Sequence, residues 1–253
     1  MNVKAKTAVV TGAARGIGLT TARLFLEQGR RVAMIDRDAE TLMAAAAELE
    51  TALPVVCDVS QPEQVEAMAA QVRDAFGRVD ALINNAGVAD FGPIRETDFA
   101  RWRSVMETNL DGVFLCSQAL LPDLIAARGA IVNIGSVSGL RASTLRVAYG
   151  TSKAAVMHLT KQQAAELGEF GVRVNCVAPG PVDTRMAGAV HSPEIRASYH
   201  DSIPLNRYGS EREIAEAVVF LCSDKASYVT GQTLAADGGF DATGMGLPAL
   251  RKG

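Results

Sequence analysis

Short apolar, β-branched runs alternate along the chain with longer amphipathic stretches. The apolar runs have the length and composition of strands and lie at 7–11, 31–36, 54–60, 79–87, 130–136, 172–179 and 230–239. The stretches with helical apolar spacing lie at 19–29, 38–50, 61–76, 98–127, 149–169 and 210–223. This alternation predicts an α/β protein with a doubly wound parallel sheet, whose ligand lies at the carboxyl ends of the strands.

The pattern continues without an internal repeat, linker or low-complexity tract, so we expect residues 1–253 to form a single domain. The region 186–207 interrupts it, with mixed polarity and weak periodicity. Two interpretations stay open there: a substrate lid and an ordinary connection. The tail, 241–253, has no strong periodicity and no assigned role.

Charge and cysteine usage narrow the class of protein. The formal net charge is -3 and the basic residues are spread out, so we expect neither nucleic acid nor membrane as a partner. The N-terminus lacks a signal-peptide pattern and no apolar run reaches membrane-spanning length, so we expect a cytoplasmic protein. The cysteines are isolated from one another and from the histidines, which predicts buried, reduced thiols and no metal site: Cys57, Cys116, Cys176, Cys222.

A glycine-rich turn joins the first strand to the first helix. Gly12, Gly16 and Gly18 follow a G-x-x-x-G-x-G spacing, which differs from the commoner G-x-G-x-x-G fingerprint. Without Cβ atoms the backbone can turn tightly and approach a pyrophosphate, whose charge the amides at a helix N-terminus stabilise. The flanking strand and helix favour phosphate binding over a plain turn.

Asp36 ends the second strand, about 20 residues beyond the glycine turn, where a carboxylate can bind an adenosine ribose. A carboxylate there repels a 2′-phosphate, which favours NAD over NADP. Arg15 and Arg37 are possible phosphate partners, or alternatively surface charges.

Polar residues follow the later strands as well. Asp58 can bond an adenine or cap a turn, and the small residues ending in Gly87 suit a crevice wall. Asn109 lies in the middle of a predicted helix, where its amide holds a water or bonds nearby backbone. Ser136 ends the fifth strand and can donate to a substrate oxygen.

Tyr149 and Lys153 are four residues apart at the start of a predicted helix and therefore share one face. A nearby cation lowers the pKa of a phenol and makes it a usable general acid or base. Arg146 either anchors a carboxylate or phosphate of the substrate or faces solvent. After the sixth strand, Val182 offers a backbone amide and Thr184 a hydroxyl.

In this order, the motifs TGAARGIG, Asp36, NNAG, Asn109, Ser136, YGTSK and PGPVDT resemble those of the short-chain dehydrogenase/reductase family, in its compact single-domain branch. The resemblance extends from residue 6 to about residue 240. It implies a Rossmann-like sheet of seven parallel strands in the order 3-2-1-4-5-6-7, with helices on both faces. It also implies a nicotinamide cofactor and a homodimer or homotetramer.

The resemblance assigns Tyr149 as general acid/base and Lys153 as the cation that lowers its pKa and binds the nicotinamide ribose. Ser136 orients the substrate and Asn109 holds a relay water. Ser138 is the rival serine, but the family serine most often precedes the tyrosine by thirteen residues, as Ser136 does. The implied cofactor contacts are Gly12, Arg15, Gly16, Ile17, Gly18, Asp36, Asp58, Val59, Asn85, Ala86, Gly87, Tyr149, Lys153, Pro179, Gly180, Val182 and Thr184.

Three functions follow from these residues. The first is NAD-dependent oxidoreduction of a secondary alcohol, polyol or sugar and its ketone. The second, an NADPH-dependent 3-oxoacyl thioester reductase, is favoured by Arg15 and Arg37 and disfavoured by Asp36. A non-catalytic nucleotide-binding scaffold is the third, and the intact serine, tyrosine and lysine argue against it. Substrate contacts are expected from Ser138, Arg146 and the 186–207 region.

Overall fold

Seven parallel strands form one sheet in the order β3-β2-β1-β4-β5-β6-β7, as the family resemblance implies. The computed structural model describes residues 6–49, 51–184 and 191–243. The strands are β1 (Thr7–Thr11), β2 (Arg31–Asp36), β3 (Ala52–Val56), β4 (Ala81–Asn84), β5 (Ala130–Ile134), β6 (Arg173–Pro179) and β7 (Thr233–Ala236). The order reverses direction between β1 and β4, which opens a crevice at the carboxyl ends of these two strands.

Helices cover both faces of this sheet. They are α1 (Gly16–Glu27), α2 (Ala39–Ala47), α3 (Pro62–Phe76), α4 (Phe99–Met106), α5 (Gly112–Ala127), α6 (Val137–Leu140), α7 (Val147–Leu167), α8 (Pro193–Ser202) and α9 (Glu211–Leu221). Helices α1, α2 and α9 contribute buried side chains to one core cluster, and α3, α5 and α7 contribute to another. The predicted doubly wound architecture is therefore confirmed.

Strands β1, β2, β4, β5 and β6 are mostly apolar because both of their faces are buried. Their buried polar exceptions include Asn84, Asn133 and Asn175. In β1, Ala8 and Val10 belong to one core cluster and Val9 to the other. In β5, Val132 belongs to the first cluster and Ile131 to the second. Since successive side chains point to opposite faces of a sheet, an uninterrupted apolar run fills both cores at once.

The third strand differs from its predicted range of 54–60. It spans Ala52–Val56 and ends before Asp58. The carboxylate of Asp58 accepts hydrogen bonds from the backbone N–H (3.0 Å) and the hydroxyl (2.8 Å) of Ser60. The backbone N–H of Asp58 donates to the Gln64 side chain (2.9 Å). Side chains that bond the backbone in this way compete with the sheet ladder and turn the chain.

The helix predicted over 98–127 is interrupted by a π-helical turn at Glu107–Asp111, between α4 and α5. Asn109 lies in this turn and is 0% exposed. A single π turn inside a helix is rare and often marks a functional site. Its widened turn leaves no trace in apolar periodicity, which explains why the sequence predicts a continuous helix.

The stretch Phe99–Ala127 is long and apolar enough to cross a membrane by length and composition alone, with a window of mean hydropathy 1.4. The expectation that no apolar run has that length is therefore wrong. Cys116, Leu120 and Leu124 of this stretch are buried against the sheet. The core helix of a globular domain can have the same length and composition, so these two properties are weak evidence for a membrane span.

The apolar pattern does not predict two short helices. Helix α6 has only four residues, and α8 lies in the weakly periodic region 186–207. None of the α8 residues is buried, so it has no apolar stripe, and it begins instead at a Ser192 cap followed by Pro193. Residues 186–190 of the suggested lid and 244–253 of the tail lie outside the described residues.

Ser210 and Glu213 form a reciprocal capping box at the start of α9. The prediction of buried cysteines is confirmed. The four cysteines are buried and outside any disulfide. Each lies in an apolar neighbourhood, where a thiol behaves as a small hydrophobic group.

Candidate functional site

The glycine turn after β1 is so tight that side chains are excluded from it. Gly12 has a φ of 64°, and a Cβ there would lie 2.8 Å from the Cα of Ala86. A Cβ on Gly18 would clash with the carbonyl oxygen of Gly12. Arg15, at the N-terminus of α1, makes no side-chain cap, and the first turn contains no acidic residue. The backbone N–H groups at the start of α1 are suited to binding a pyrophosphate, so this group fits the residues present.

Asn85 holds this turn in place. Its side-chain amide donates to the carbonyl oxygens of Thr11 (2.9 Å) and Gly12 (3.0 Å), and its backbone N–H donates to the Thr11 hydroxyl (3.0 Å). The structure thus places Asn85 beneath the glycine turn, tying β4 to β1. Its side chain positions the cradle rather than lining the adenosine pocket, which the sequence analysis did not foresee.

A pocket opens at the carboxyl ends of β1, β2, β3 and β4 and brings together residues from five separate segments. Six of the predicted cofactor residues line it: Gly12, Asp36, Asp58, Val59, Ala86 and Gly87. Its remaining lining residues are Ile35, Arg37, Cys57, Val88 and Thr108. Each of these five adjoins a predicted residue in sequence, as Thr108 adjoins Asn109.

Asp36 stands at the entrance to this pocket with its carboxylate fixed by two backbone N–H groups. Ala14 donates at 3.1 Å and Asp38 at 3.0 Å. The neighbouring arginines are already paired, Arg15 with Asp38 and Arg37 with Asp58 at 3.5 Å. Both cations that can bind a 2′-phosphate are thus engaged by carboxylates.

Asp58 caps its own turn and also lines the pocket, so its position is compatible with both roles that the sequence left open. Burial acts to raise the pKa of its carboxyl, but the hydrogen bonds from Ser60 and the charge of Arg37 outweigh burial and lower that pKa. The group is therefore an anion at neutral pH. It can accept a hydrogen bond from an exocyclic amine.

Asn109 ties the loop after β4 to α7. Its Nδ2 donates to the Val88 carbonyl oxygen (2.9 Å) and the Ser152 hydroxyl (3.1 Å), while its Oδ1 accepts from the Val88 N–H (2.8 Å). A Cβ on Gly87 would lie 3.3 Å from this Oδ1 and 3.5 Å from the Nζ of Lys153. Gly87 therefore packs closely against both the Asn109 amide and the Lys153 ammonium, which a side chain at this position would crowd.

Tyr149 lies in the first turn of α7 and is partly buried. The Ser136 side chain forms a hydrogen bond with it, and the Ser136 hydroxyl also accepts from the backbone N–H of Ser138 (3.1 Å). Burial raises the pKa of Tyr149, whereas the Ser136 hydrogen bond and the positive charge of Arg146 act to lower it. Of the two rival serines, Ser136 is the one in contact with the tyrosine.

Lys153 is 5% exposed, and its Nζ donates to the Ile134 carbonyl oxygen at 2.8 Å. The same Nζ lies 5.8 Å from the centroid of the Tyr149 ring. Burial lowers the pKa of Lys153 to about 8. The charge of Arg146 acts against the effect of burial on the Tyr149 pKa, while the Lys153 ammonium donates to the end of β5.

The serine turn and α7 meet along their backbones, which the sequence analysis missed. A Cβ on Gly139 would lie 2.7 Å from the backbone N of Ala154, and one on Gly150 would lie 2.9 Å from the Ser138 carbonyl oxygen. These two glycines therefore allow the approach that brings Ser136 to Tyr149. The sequence signal was Gly139, three residues after Ser136, together with Gly150, directly after Tyr149.

The residues after β6 lie at the same carboxyl edge of the sheet as the pocket. Pro179 pairs with Ala236, and the Gly180 N–H donates to the Ala236 carbonyl oxygen at 3.1 Å. The Thr184 N–H donates to the Val182 carbonyl oxygen at 2.9 Å, and the Val182 side chain is buried. The backbone is thus fixed as far as the described chain extends before residue 185.

Three comparisons with known proteins give related results. The family model described as enoyl-(acyl carrier protein) reductase matches residues 12–241. The galactitol 2-dehydrogenase (L-tagatose-forming) of Cereibacter sphaeroides is 45% identical over 92% of this chain and 94% of its own length. A 3-oxoacyl-(acyl carrier protein) reductase of Chlamydia trachomatis is 38% identical over 92% of this chain and 96% of its own.

A solved structure agrees with these matches. The gluconate 5-dehydrogenase of Burkholderia cenocepacia, in complex with NADP and tartrate, superposes with a TM-score of 0.90. It is 34% identical, and the match covers 95% of this chain and 97% of that one. The resemblance thus covers the whole sheet, the glycine turn and the serine–tyrosine–lysine cluster.

Replacing Gly18 by Ala should destabilise the protein by about 1–3 kcal/mol or more, because the new methyl group meets the Gly12 carbonyl. This cost exceeds the gain of about 1 kcal/mol that Ala brings to a helix. Gly168→Ala is the matched control, since a Cβ there meets nothing within 4 Å. Urea unfolding measures both, and equal stability of the two variants would contradict the assigned close approach.

Proposed function

The chain belongs to the short-chain dehydrogenase/reductase family of nicotinamide-dependent oxidoreductases, and we propose that it transfers a hydride between NAD and a secondary alcohol or its ketone. The observation that carries this proposal is the contact of Ser136 with Tyr149, beside a buried Lys153 and near the pocket lined by Gly12, Asp36 and Gly87. Polyols, sugars and similar small alcohols are the proposed substrates.

Tyr149 is the proposed general acid/base. In oxidation its phenolate accepts the hydroxyl proton of the substrate, and in reduction its phenol returns a proton to the substrate oxygen. The nicotinamide, when bound, accepts or supplies the hydride. Ser136 holds the substrate oxygen, and its hydrogen bond, together with the charge of Arg146, favours the phenolate that burial disfavours.

Lys153 has a second proposed task. An ammonium has three N–H donors, of which one is used by the Ile134 carbonyl oxygen, so the others are available to a ribose hydroxyl and a water. A pKa of about 8 lets this group exchange a proton near neutral pH. Lys153 and Asn109 both lie beside Gly87, with Nζ 3.5 Å and Oδ1 3.3 Å from the position that a Cβ would take there, and this proximity supports a relay water joining them.

For the cofactor we propose NAD over NADP. Asp36 brings a carboxylate to the ribose end of the pocket, and Arg15 and Arg37 are each paired with another carboxylate. A 2′-phosphate would meet the negative charge of Asp36 and would have to displace an ion pair to reach an arginine. The gluconate 5-dehydrogenase structure contains NADP, so a preference for NADP is the alternative to be tested.

The alternative function is reduction of a 3-oxoacyl thioester with NADPH. The similarity to a reductase of that kind favours it. Asp36 and the paired arginines disfavour the phosphorylated cofactor that it requires. Substrate selection by α8, as a lid over the crevice, is compatible with both functions.

We also propose that the protein is a homodimer or homotetramer that associates through α5. Phe114 of this helix is 46% exposed, and a groove beside it is lined by Leu110, Leu115 and Leu159. Contiguous exposed apolar surface of this kind is typical of protein interfaces. A second copy of the same helix is its proposed occupant.

Replacing Asp36 by Ser should narrow the preference for NAD over NADP by about tenfold or more, because like charges facing each other cost several kcal/mol. Dissociation constants for both cofactors, measured by calorimetry, test this prediction. Asp74→Ser removes an exposed carboxylate from α3 and serves as control. An unchanged NAD to NADP ratio in the Asp36 variant would show that this carboxylate does not face the ribose.

Tyr149→Phe should keep NAD binding and lose turnover by about 10²–10⁴-fold, because the phenyl ring cannot transfer a proton. Turnover is followed as NADH absorbance on a panel of secondary alcohols. Tyr228, 102% exposed, gives the matched control Tyr228→Phe. Activity like that of the wild type in the Tyr149 variant would refute the proposed role.

A further inference from the structure

Arg146 is a partly buried cation beside the catalytic tyrosine, and its guanidinium faces hydroxyl groups and a ring rather than an acid. Its Nη1 donates to the Ser138 hydroxyl and its Nη2 to the Tyr199 hydroxyl, both at 3.3 Å. Its Cζ lies 4.9 Å from the centroid of the Phe91 ring. Within the described part of the chain, no carboxylate forms an ion pair with Arg146.

The other charges nearby leave this cation uncompensated. Arg196 is paired with Asp183 (2.9 Å), so that carboxylate is already used. Asp90, next to Phe91 in sequence, forms two hydrogen bonds with Arg101, at 2.6 and 2.7 Å. The charges of Arg146 and Arg196 also help to lower the pKa of His191, after the larger effect of its burial.

Arg146 is close to the reacting end of the site. The guanidinium of Arg146 lies over the ring of Phe91. The Phe91 ring also packs edge-on against the ring of Tyr149, with centroids 6.2 Å apart. The charge of Arg146 acts on the pKa of Tyr149. Ser138, which accepts from Arg146, donates its backbone N–H to the Ser136 hydroxyl.

We propose that Arg146, with the hydroxyls of Ser138 and Tyr199, binds an anionic group of the substrate, so that the enzyme acts on small hydroxy acids or their oxo acids. This inference rests on the proposed function and adds the substrate class. The hydrogen bonds at 3.3 Å are long for a guanidinium and exchange readily for a shorter charge-assisted bond to an oxyanion. Carboxylate, phosphate and sulfonate share that chemistry.

Tyr199 gives the anion a second effect. It is carried by α8, whose residues are otherwise exposed or half-buried, and its ring packs on His191 (5.2 Å) and Phe240 (5.8 Å). An oxyanion that accepts from both Arg146 and the Tyr199 hydroxyl joins α8 to the catalytic turn. The charged group of the substrate thereby positions the lid over its own carbinol carbon.

Calorimetric titration of the full protein, saturated with NAD, with malonate, inorganic phosphate and methanesulfonate tests the proposal. We expect at least one of these anions to bind, and Arg146→Ala to weaken that binding by about tenfold or more. Arg146→Lys should be intermediate because it keeps the charge and loses the fork. Tyr199→Phe should weaken binding several-fold.

The control is Arg23→Ala, which removes an exposed arginine from α1. Equal anion affinity in the Arg23 and Arg146 variants would overturn the proposal, as would failure of the wild-type complex to bind any of the three anions. NAD affinity is measured in parallel for each variant. If the wild-type protein fails to bind NAD, that result contradicts the proposed function instead, so the two failures are distinguishable.

Discussion

A lysine ammonium buried at the carboxyl end of β5 is the feature around which the site is arranged. Lys153 is 5% exposed and bonds the Ile134 carbonyl oxygen, without an ion-pair partner in the described part of the chain. Burying such a cation is costly, and burial lowers its pKa to about 8. Gly87 and the Tyr149 ring both lie near its Nζ. The cost is tolerated where the charge can serve proton transfer.

Opposite charges mark the two ends of the site. At the cofactor end Asp36 presents a carboxylate, and the neighbouring arginines are paired. At the substrate end Arg146 presents a cation that faces hydroxyls. The cofactor end is rigid because backbone N–H groups hold its carboxylate. The substrate end depends on side chains and on α8, which is where selectivity among related enzymes can vary without disturbing the sheet.

Much of this arrangement follows from sequence because buried parallel strands are largely apolar runs and because the glycine turn has few alternatives. The cluster of Ser136, Tyr149 and Lys153 was predicted from the family resemblance, whose motifs occur in order along the chain. What the sequence missed depends on contacts between distant segments. Three such contacts involve a partner elsewhere in the chain. They are the approach of Gly139 to α7, the hydrogen bonds from Asn85 to the glycine turn and the hydrogen bond between Tyr199 and Arg146. The π turn at Asn109 was missed because it keeps the apolar spacing of a helix.

The central claim is that one phenol both accepts and returns the proton. The most direct test is the pH dependence of kcat/KM in both directions, between about pH 6 and 10, on the best alcohol and ketone of a substrate panel. Oxidation requires the phenolate and reduction the phenol, so oxidation should rise and reduction should fall with increasing pH through a common apparent pKa. Parallel or flat profiles in the two directions would contradict the assignment of Tyr149.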